Sequence, residues 1–252
     1  MSEVKDSSTK PESHGWFATT HWSVVVQAQE GDSGEAHEAL GKLCQTYWSP
    51  IYSYLRREGH GPADAEDLTQ SFFAHLLERN FLDHLHHRQG RFRSFLLAFL
   101  KHFLADHRDK VRARKRGGGQ SPISLDALDG AERDALEPAD NWTPDQAFER
   151  EWARTVLQRA TLRLQSEYHR DGKSELFEHL SEFQPGTHGP VSYVEAGARF
   201  GLSEGGVKSA AHRLRRRHRE ILREEIAHTV RRPEEIAAEV RHLIEVVAKR
   251  PE

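Results

Sequence analysis

VSYVEAGARFGLSEGGVKSAAHRLRRRHREIL, residues 191–222, divides into two helical stretches around a glycine. Ser192 to Phe200 suits a short helix, Gly201 and Leu202 interrupt it, and Ser203 is a residue type whose side-chain oxygen caps a helix start by accepting from a backbone N–H. Beyond it Val207, Ala211 and Leu214 recur at helical spacing on one side, while Lys208, Ser209, His212, Arg213 and Arg216 fall on another. The spacing predicts a helix-turn-helix. In such a pair, short polar and basic side chains at the start of the second helix reach base edges, and later arginines meet phosphates. Ser203, Lys208, Ser209, His212, Arg213, Arg216 and Arg217 are therefore the candidate DNA contacts of this segment.

Upstream, the chain reads as helices of the same kind. Ala36, Leu40, Leu43, Cys44 and Tyr47, then Ile51, Tyr54 and Leu55, recur at helical spacing until Gly59 and Gly61 end the run. Pro62 suits a first helical turn, and Asp64, Glu66 and Asp67 complement the helix dipole ahead of Leu68, Phe72, Phe73, Leu76 and Leu77. A third helix, from near Arg91, carries Phe92, Phe95, Leu96, Phe99, Leu100, Phe103 and Leu104 on one face and must stop at Gly117, Gly118 and Gly119. The residues after it mix Gly, Pro, Ser and acids without a sustained period, as a linker does. Thr143 followed by Pro144 and Asp145 makes a good helix start, with Phe148, Trp152, Val156 and Leu157 as its apolar stripe. A short helix with Leu176, Phe177 and Leu180 precedes the 191–222 stretch.

The expected fold is all-α: two helical domains joined by a flexible acidic linker, the second containing the helix-turn-helix. The expected boundaries are a disordered tail over 1–18, a first domain over 19–116, a linker over 117–142, a second domain over 143–228 and a helical extension over 229–252. In that extension Pro233 starts a helix with Ile236, Val240, Leu243, Ile244 and Val247 on one face, and packing against the second domain is the favoured use of that face.

The chain's 252 residues carry a formal net charge of only -3, which taken alone argues against a nucleic-acid partner. The charge is segregated, however. Arg88 to Arg116 and Lys208 to Arg223 are strongly basic, and Asp126 to Asp145 between them is acidic. Cys44 is the only cysteine, so no intramolecular disulfide forms and a Cys-rich zinc site is excluded. His84, His86 and His87 cluster without carboxylates at ligand spacing, and no phosphate-binding glycine loop, nucleophile elbow or HExxH motif occurs. No cofactor, metal or catalytic residue is expected, and the chain is expected not to be an enzyme. It has no apolar run long enough for a membrane helix and no secretory signal at its start, so it is expected in the cytoplasm, away from membranes.

Three motifs, in this order, resemble those of the extracytoplasmic-function sigma factors of RNA polymerase, over about residues 19–228. DAEDLTQSFFAHLL (64–77) resembles the region that docks on the clamp helices of the polymerase largest subunit. FRSFLLAFLKHFLADHR (92–108) resembles the region that melts and reads the minus-ten element, and SYVEAGARFGLSEGGVKSAAHRLRRR (192–217) the region that reads the minus-35 element. The resemblance implies core polymerase and promoter DNA as partners, with an anti-sigma factor or another regulatory protein as a further one. It implies Asp64, Asp67, Gln70, Phe73 and Leu77 as polymerase contacts. Arg91, Arg93, Lys101, His102 and Arg108 would be minus-ten contacts, and the 203–217 set minus-35 contacts. The rival expectation is a self-sufficient helix-turn-helix regulator whose residues 36–116 serve dimerisation or sensing. Five positions depart from the family pattern: Ser71 stands where Glu is usual, Phe95 where Trp is common, His102 where Asn is frequent, Ala196 where a larger aliphatic is usual, and Gly197 where Ala is usual. At Gly197 this costs about 1 kcal/mol of helix propensity, so the first helix of the pair is expected to pack loosely.

Overall fold

A computed structural model describes residues 34–77, 91–116, 141–181, 193–230 and 232–249. Within them the chain is all-helical: α1 (Gly34–Arg57), α2 (Pro62–Leu77), α3 (Phe92–Arg116), α4 (Pro144–Arg170), α5 (Ser174–Ser181), α6 (Tyr193–Phe200), α7 (Glu204–Ala227), a single 3-10 turn (Pro233–Glu235) and α8 (Ile236–Ala248). The expected tail, the histidine cluster at 84–87 and nearly all of the expected linker, 117–140, lie outside the described residues.

The helix ends follow local chemistry. Gly59 closes α1 with φ of 92°, a left-handed conformation in which a side chain is strained. The His60 N–H then donates back to the Leu55 carbonyl at 3.2 Å. The Thr143 hydroxyl accepts from Gln146 N–H at 3.3 Å while the Gln146 side chain accepts from Thr143 N–H at 2.9 Å, and Pro144 fills the first turn. This reciprocal box satisfies two donors that the start of α4 would otherwise leave open.

One buried cluster runs from Leu43 in α1 to Leu243 in α8. The helices on either side of 117–140 therefore share a core. Helix α1 lies along α4, with Tyr47 at its centre: its ring meets Phe92 edge-on at 5.0 Å and stacks with Phe148 at 6.3 Å. On the other side of α1, aromatic rings join α2 to α3. Phe72 meets Phe99 and Phe103, each at 5.6 Å, and Trp48 stacks on Phe73 at 5.6 Å. Such pairs contribute about 0.5–1.5 kcal/mol each beyond the area they bury. The predicted apolar face of α3 is where the sequence puts it, with Phe92, Phe95, Leu96, Leu100 and Leu104 buried.

The α6–α7 corner departs from the expected loose packing. Gly201 takes φ of 63° and the Leu202 N–H donates to the Gly197 carbonyl at 2.9 Å, which folds the turn back over the end of α6. A Cβ at Gly197 would lie 2.5 Å from the Leu202 carbonyl oxygen, a backbone atom fixed by that turn. The glycine's lost helix propensity is thus offset by a closer approach than any side chain permits. Ser203 caps α7, its hydroxyl accepting from Gly206 N–H at 3.1 Å, and Val207, Ala210, Ala211 and Leu214 are buried beneath.

Helix α8 is also rotated from expectation. Ile236, Glu239 and Leu243 are buried, while Ile244 and Val247 remain 57% and 55% exposed. The buried row is set by Glu239, whose ion pairs to Arg91 and Arg93 turn its side toward α3.

Gly197→Ala is expected to lower the urea midpoint by an amount equivalent to about 1–3 kcal/mol, the usual cost of overpacking, although alanine is the better helix former. An unchanged or raised midpoint would contradict the close approach at Leu202.

Candidate nucleic-acid interface

Helix α7 segregates its side chains by angle. At about 100° per residue, positions 208, 209, 212, 213 and 216 fall within one arc, and 207, 211 and 214 fall opposite. Accordingly Lys208, Ser209, His212, Arg213 and Arg216 are exposed, and Val207, Ala211 and Leu214 are sealed inside. Lys208 pairs with Glu204 at 2.7 Å and lies over the Tyr193 ring at 5.4 Å; the hydrogen bond to Glu204 and its charge raise the lysine's pKa. Arg216 reaches Glu220 at 3.6 Å. Exposed pairs of this kind are weak. Ser203 stands exposed at the head of the helix, with its hydroxyl engaged in the cap.

Arg217 does not belong to that face. Three consecutive arginines, 215 to 217, spread over about 200° of a helix and do not all look the same way. Arg217 turns to α4, where Glu167 accepts two hydrogen bonds from it at 2.8 and 2.9 Å, with Glu224 at 3.2 Å behind. The bidentate bond from Arg217, opposed by partial burial, lowers the Glu167 pKa, and the same bond raises that of Arg217. Arg163 extends the seam by pairing with Glu224 and Glu225, and Arg159 joins Glu225 to the Thr46 hydroxyl of α1. The end of the basic run thus holds α7 to α4.

The five positions expected to contact DNA from α3 also divide. His102 is exposed, Arg108 is exposed with Glu58 at 3.7 Å, and Lys101 pairs with Asp145 at 2.6 Å across exposed surface. Arg93, by contrast, is only 4% exposed. Its Nε donates to Glu239 at 2.5 Å, a second nitrogen pairs with Glu149, and the guanidinium lies 5.1 Å from the centre of the Trp152 ring. Burial alone would lower its pKa, but the hydrogen bond to Glu239 and the charges of Glu149 and Glu239 outweigh this and raise it. Arg91, half-buried, reaches the same Glu239 at 2.8 Å. In this conformation Arg93 is not a surface residue, because the first turn of α3 meets α4 and α8 and a cation there needs carboxylate partners.

On α2, Asp64, Asp67 and Gln70 are exposed, as is Ser71. Phe73 is not; it is buried against Trp48 and Phe72. Steps of three residues drift by about 60° around a helix, so a row that begins at Asp64 has turned about half-way round by Phe73. Leu77 ends the helix, and its side chain lies outside the described residues.

Sequence reasoning missed Glu239, Glu149, Trp152 and His242 as a joint site. His242 approaches Glu149 at 2.8 Å and the Trp152 ring at 6.0 Å. The available signal was Glu239, an acid on the same face as Ile236, Val240 and Leu243, which demands a buried cation opposite. Cys44 is half-buried, and desolvation pushes its thiol up to about 12. Among the described residues no group of three His, Cys, Asp or Glu is placed to hold a metal ion, and no helix is long and apolar enough to cross a membrane. No family model, no curated protein and no solved structure matches this chain.

Two predictions follow from the buried charges. Arg93→Ala leaves Glu239 buried without its main partner and should lower stability by about 3–5 kcal/mol in urea unfolding, whereas Arg213→Ala should leave the midpoint in place; equal effects would contradict the division made here. Burial holds the pKa values of His218 and His228 below the ordinary 6.5. The unfolded chain then binds more protons than the folded one, so stability is full above pH 6.5 and falls as pH is lowered through the depressed folded values. A urea midpoint that stays flat across that range would contradict the assignment.

Proposed function

We propose that this chain is a sigma factor of the extracytoplasmic-function type, which binds core RNA polymerase and directs it to promoters. The observation that carries the proposal is the solvent-facing arc of α7, where Lys208, Ser209, His212, Arg213 and Arg216 lie behind a capped glycine turn, with Val207, Ala211 and Leu214 sealed on the opposite side. In the proposed role α6 and α7 are the helix-turn-helix. The exposed arc enters the major groove at the minus-35 element, with its early residues at base edges and Arg216 at phosphates. Lys101, His102 and Arg108 of α3 serve the minus-ten element, and the acidic and amide edge of Asp64, Asp67 and Gln70 meets basic polymerase helices. The order of the three motifs along the chain supports the same reading. Arg217 is left out of the DNA contacts because it is committed to Glu167.

The purified chain should co-purify with core polymerase, and Asp67→Ala and Gln70→Ala should weaken that association while leaving upstream-element binding intact. Core association unchanged in both variants would remove the assigned edge. Tight, specific promoter binding by the chain alone, with none to core, would favour the self-sufficient regulator. Arg213→Ala should cost on the order of 1–3 kcal/mol at one base position if it reads an edge; a uniform loss with a shallower salt slope would assign it to phosphate instead.

A further inference from the structure

We propose that the last helix, α8, is an internal clasp that occupies the phosphate-binding arginines at the start of α3, so that nucleic acid and α8 compete for them. The inference rests on the reading of α3 as a DNA-facing helix, and adds to it an element that controls access.

The geometry is that of one anion standing in for another. The Glu239 carboxylate is fully buried; one oxygen accepts from Arg93 Nε at 2.5 Å, and the other lies 2.8 Å from Arg91 Nε and 3.4 Å from a second Arg93 nitrogen. A guanidinium fork recognises carboxylate and phosphate by the same paired donors, so what holds Glu239 also fits a backbone phosphate. The chain reinforces the contact just before α8, where the Phe92 N–H at the start of α3 donates to the Thr229 carbonyl at 3.3 Å.

The clasp is built to open. Helix α8 has 13 residues, too few to persist alone in water, so it depends on its docking. That docking is partial: Ile244 and Val247 face solvent, and an open pocket of about 300 Å³ lined by Trp142, Glu149, His242 and Glu245 lies between part of α8 and the start of α4, beside the His242–Glu149 contact at 2.8 Å. Detachment would uncover Ile236 and Leu243, together with Val240 and Val246 that pack against the core, but would return Glu239 to water, where its solvation offsets much of the lost pairing. Arg91 already has a third of its side chain exposed and gives an incoming phosphate a first hold. Opening frees Arg91 from Glu239 and leaves Arg93 with Glu149 in place of two carboxylates.

The test uses the full chain and a fluorescently labelled single-stranded oligonucleotide. Glu239→Gln keeps the shape of the side chain and removes its charge. It should bind the oligonucleotide several-fold more tightly than the parent, with a salt slope steeper by about one counterion. Equal or weaker binding by a variant that retains its helical circular dichroism would overturn the clasp. A second measurement needs no variant: in the unaltered chain, adding the oligonucleotide should speed hydrogen exchange of the amides of α8. Unchanged or slower exchange there, with the oligonucleotide bound, would also overturn it. Neither readout involves polymerase, so failure of core binding would remove the sigma assignment without deciding the clasp.

Discussion

The buried guanidinium of Arg93 is the constraint on which the arrangement of this protein depends. A cation only 4% exposed has lost its water and must recover the loss from neighbours. Here the neighbours come from separate parts of the chain: Glu149 and the Trp152 face from α4, and Glu239 from α8. Satisfying one side chain of α3 therefore fixes where two other helices lie, over sequence separations of 56 and 146 residues. The apolar cluster around Tyr47, Phe92 and Phe148 fills the space beside it, and the Arg159, Arg163 and Arg217 pairs continue the charged seam along α4 and α7. Burying such pairs contributes little net stability compared with apolar packing, but it specifies which helix faces meet.

The same basic residues that suggest nucleic acid in the sequence are thus put to two uses. Those on the outer arc of α7 and the later part of α3 stay in solvent, held at most by weak surface pairs. Arg91, Arg93 and Arg217, at the inner edges of their helices, bind the chain's own carboxylates. A guanidinium does not distinguish an internal acid from a phosphate by type, only by which one geometry brings close.

How far this was legible in the sequence follows from what each signal encodes. Helical periodicity located the core of α3 and the sealed side of α7, because a 3.6-residue repeat is a local property. Cap chemistry located the start of α4 at Thr143 and of α7 at Ser203 for the same reason. Charge runs were read less well, since a run gives sign without direction: Arg217 follows Arg216 in sequence yet lies about 100° further round and meets α4, and Phe73 continues the row from Asp64 yet turns inward. The partnership of Arg93 with Glu239 could not be read from spacing at all, because it joins distant segments. Only the misplaced acid in the apolar stripe of α8 hinted at it. Gly197 was misjudged in the other direction, since propensity describes a lone helix and its neighbour Leu202 sets the actual constraint.

The proposed role makes three surfaces of one molecule act together: the acidic edge of α2 on polymerase, the outer part of α3 at the melted element and the arc of α7 upstream. Transcription reconstituted from purified core polymerase, this chain and a library of promoter fragments tests that claim most directly. The proposal predicts start sites that depend on both proteins and are preceded by two elements at a fixed spacing. Start sites unchanged by adding the chain would contradict it.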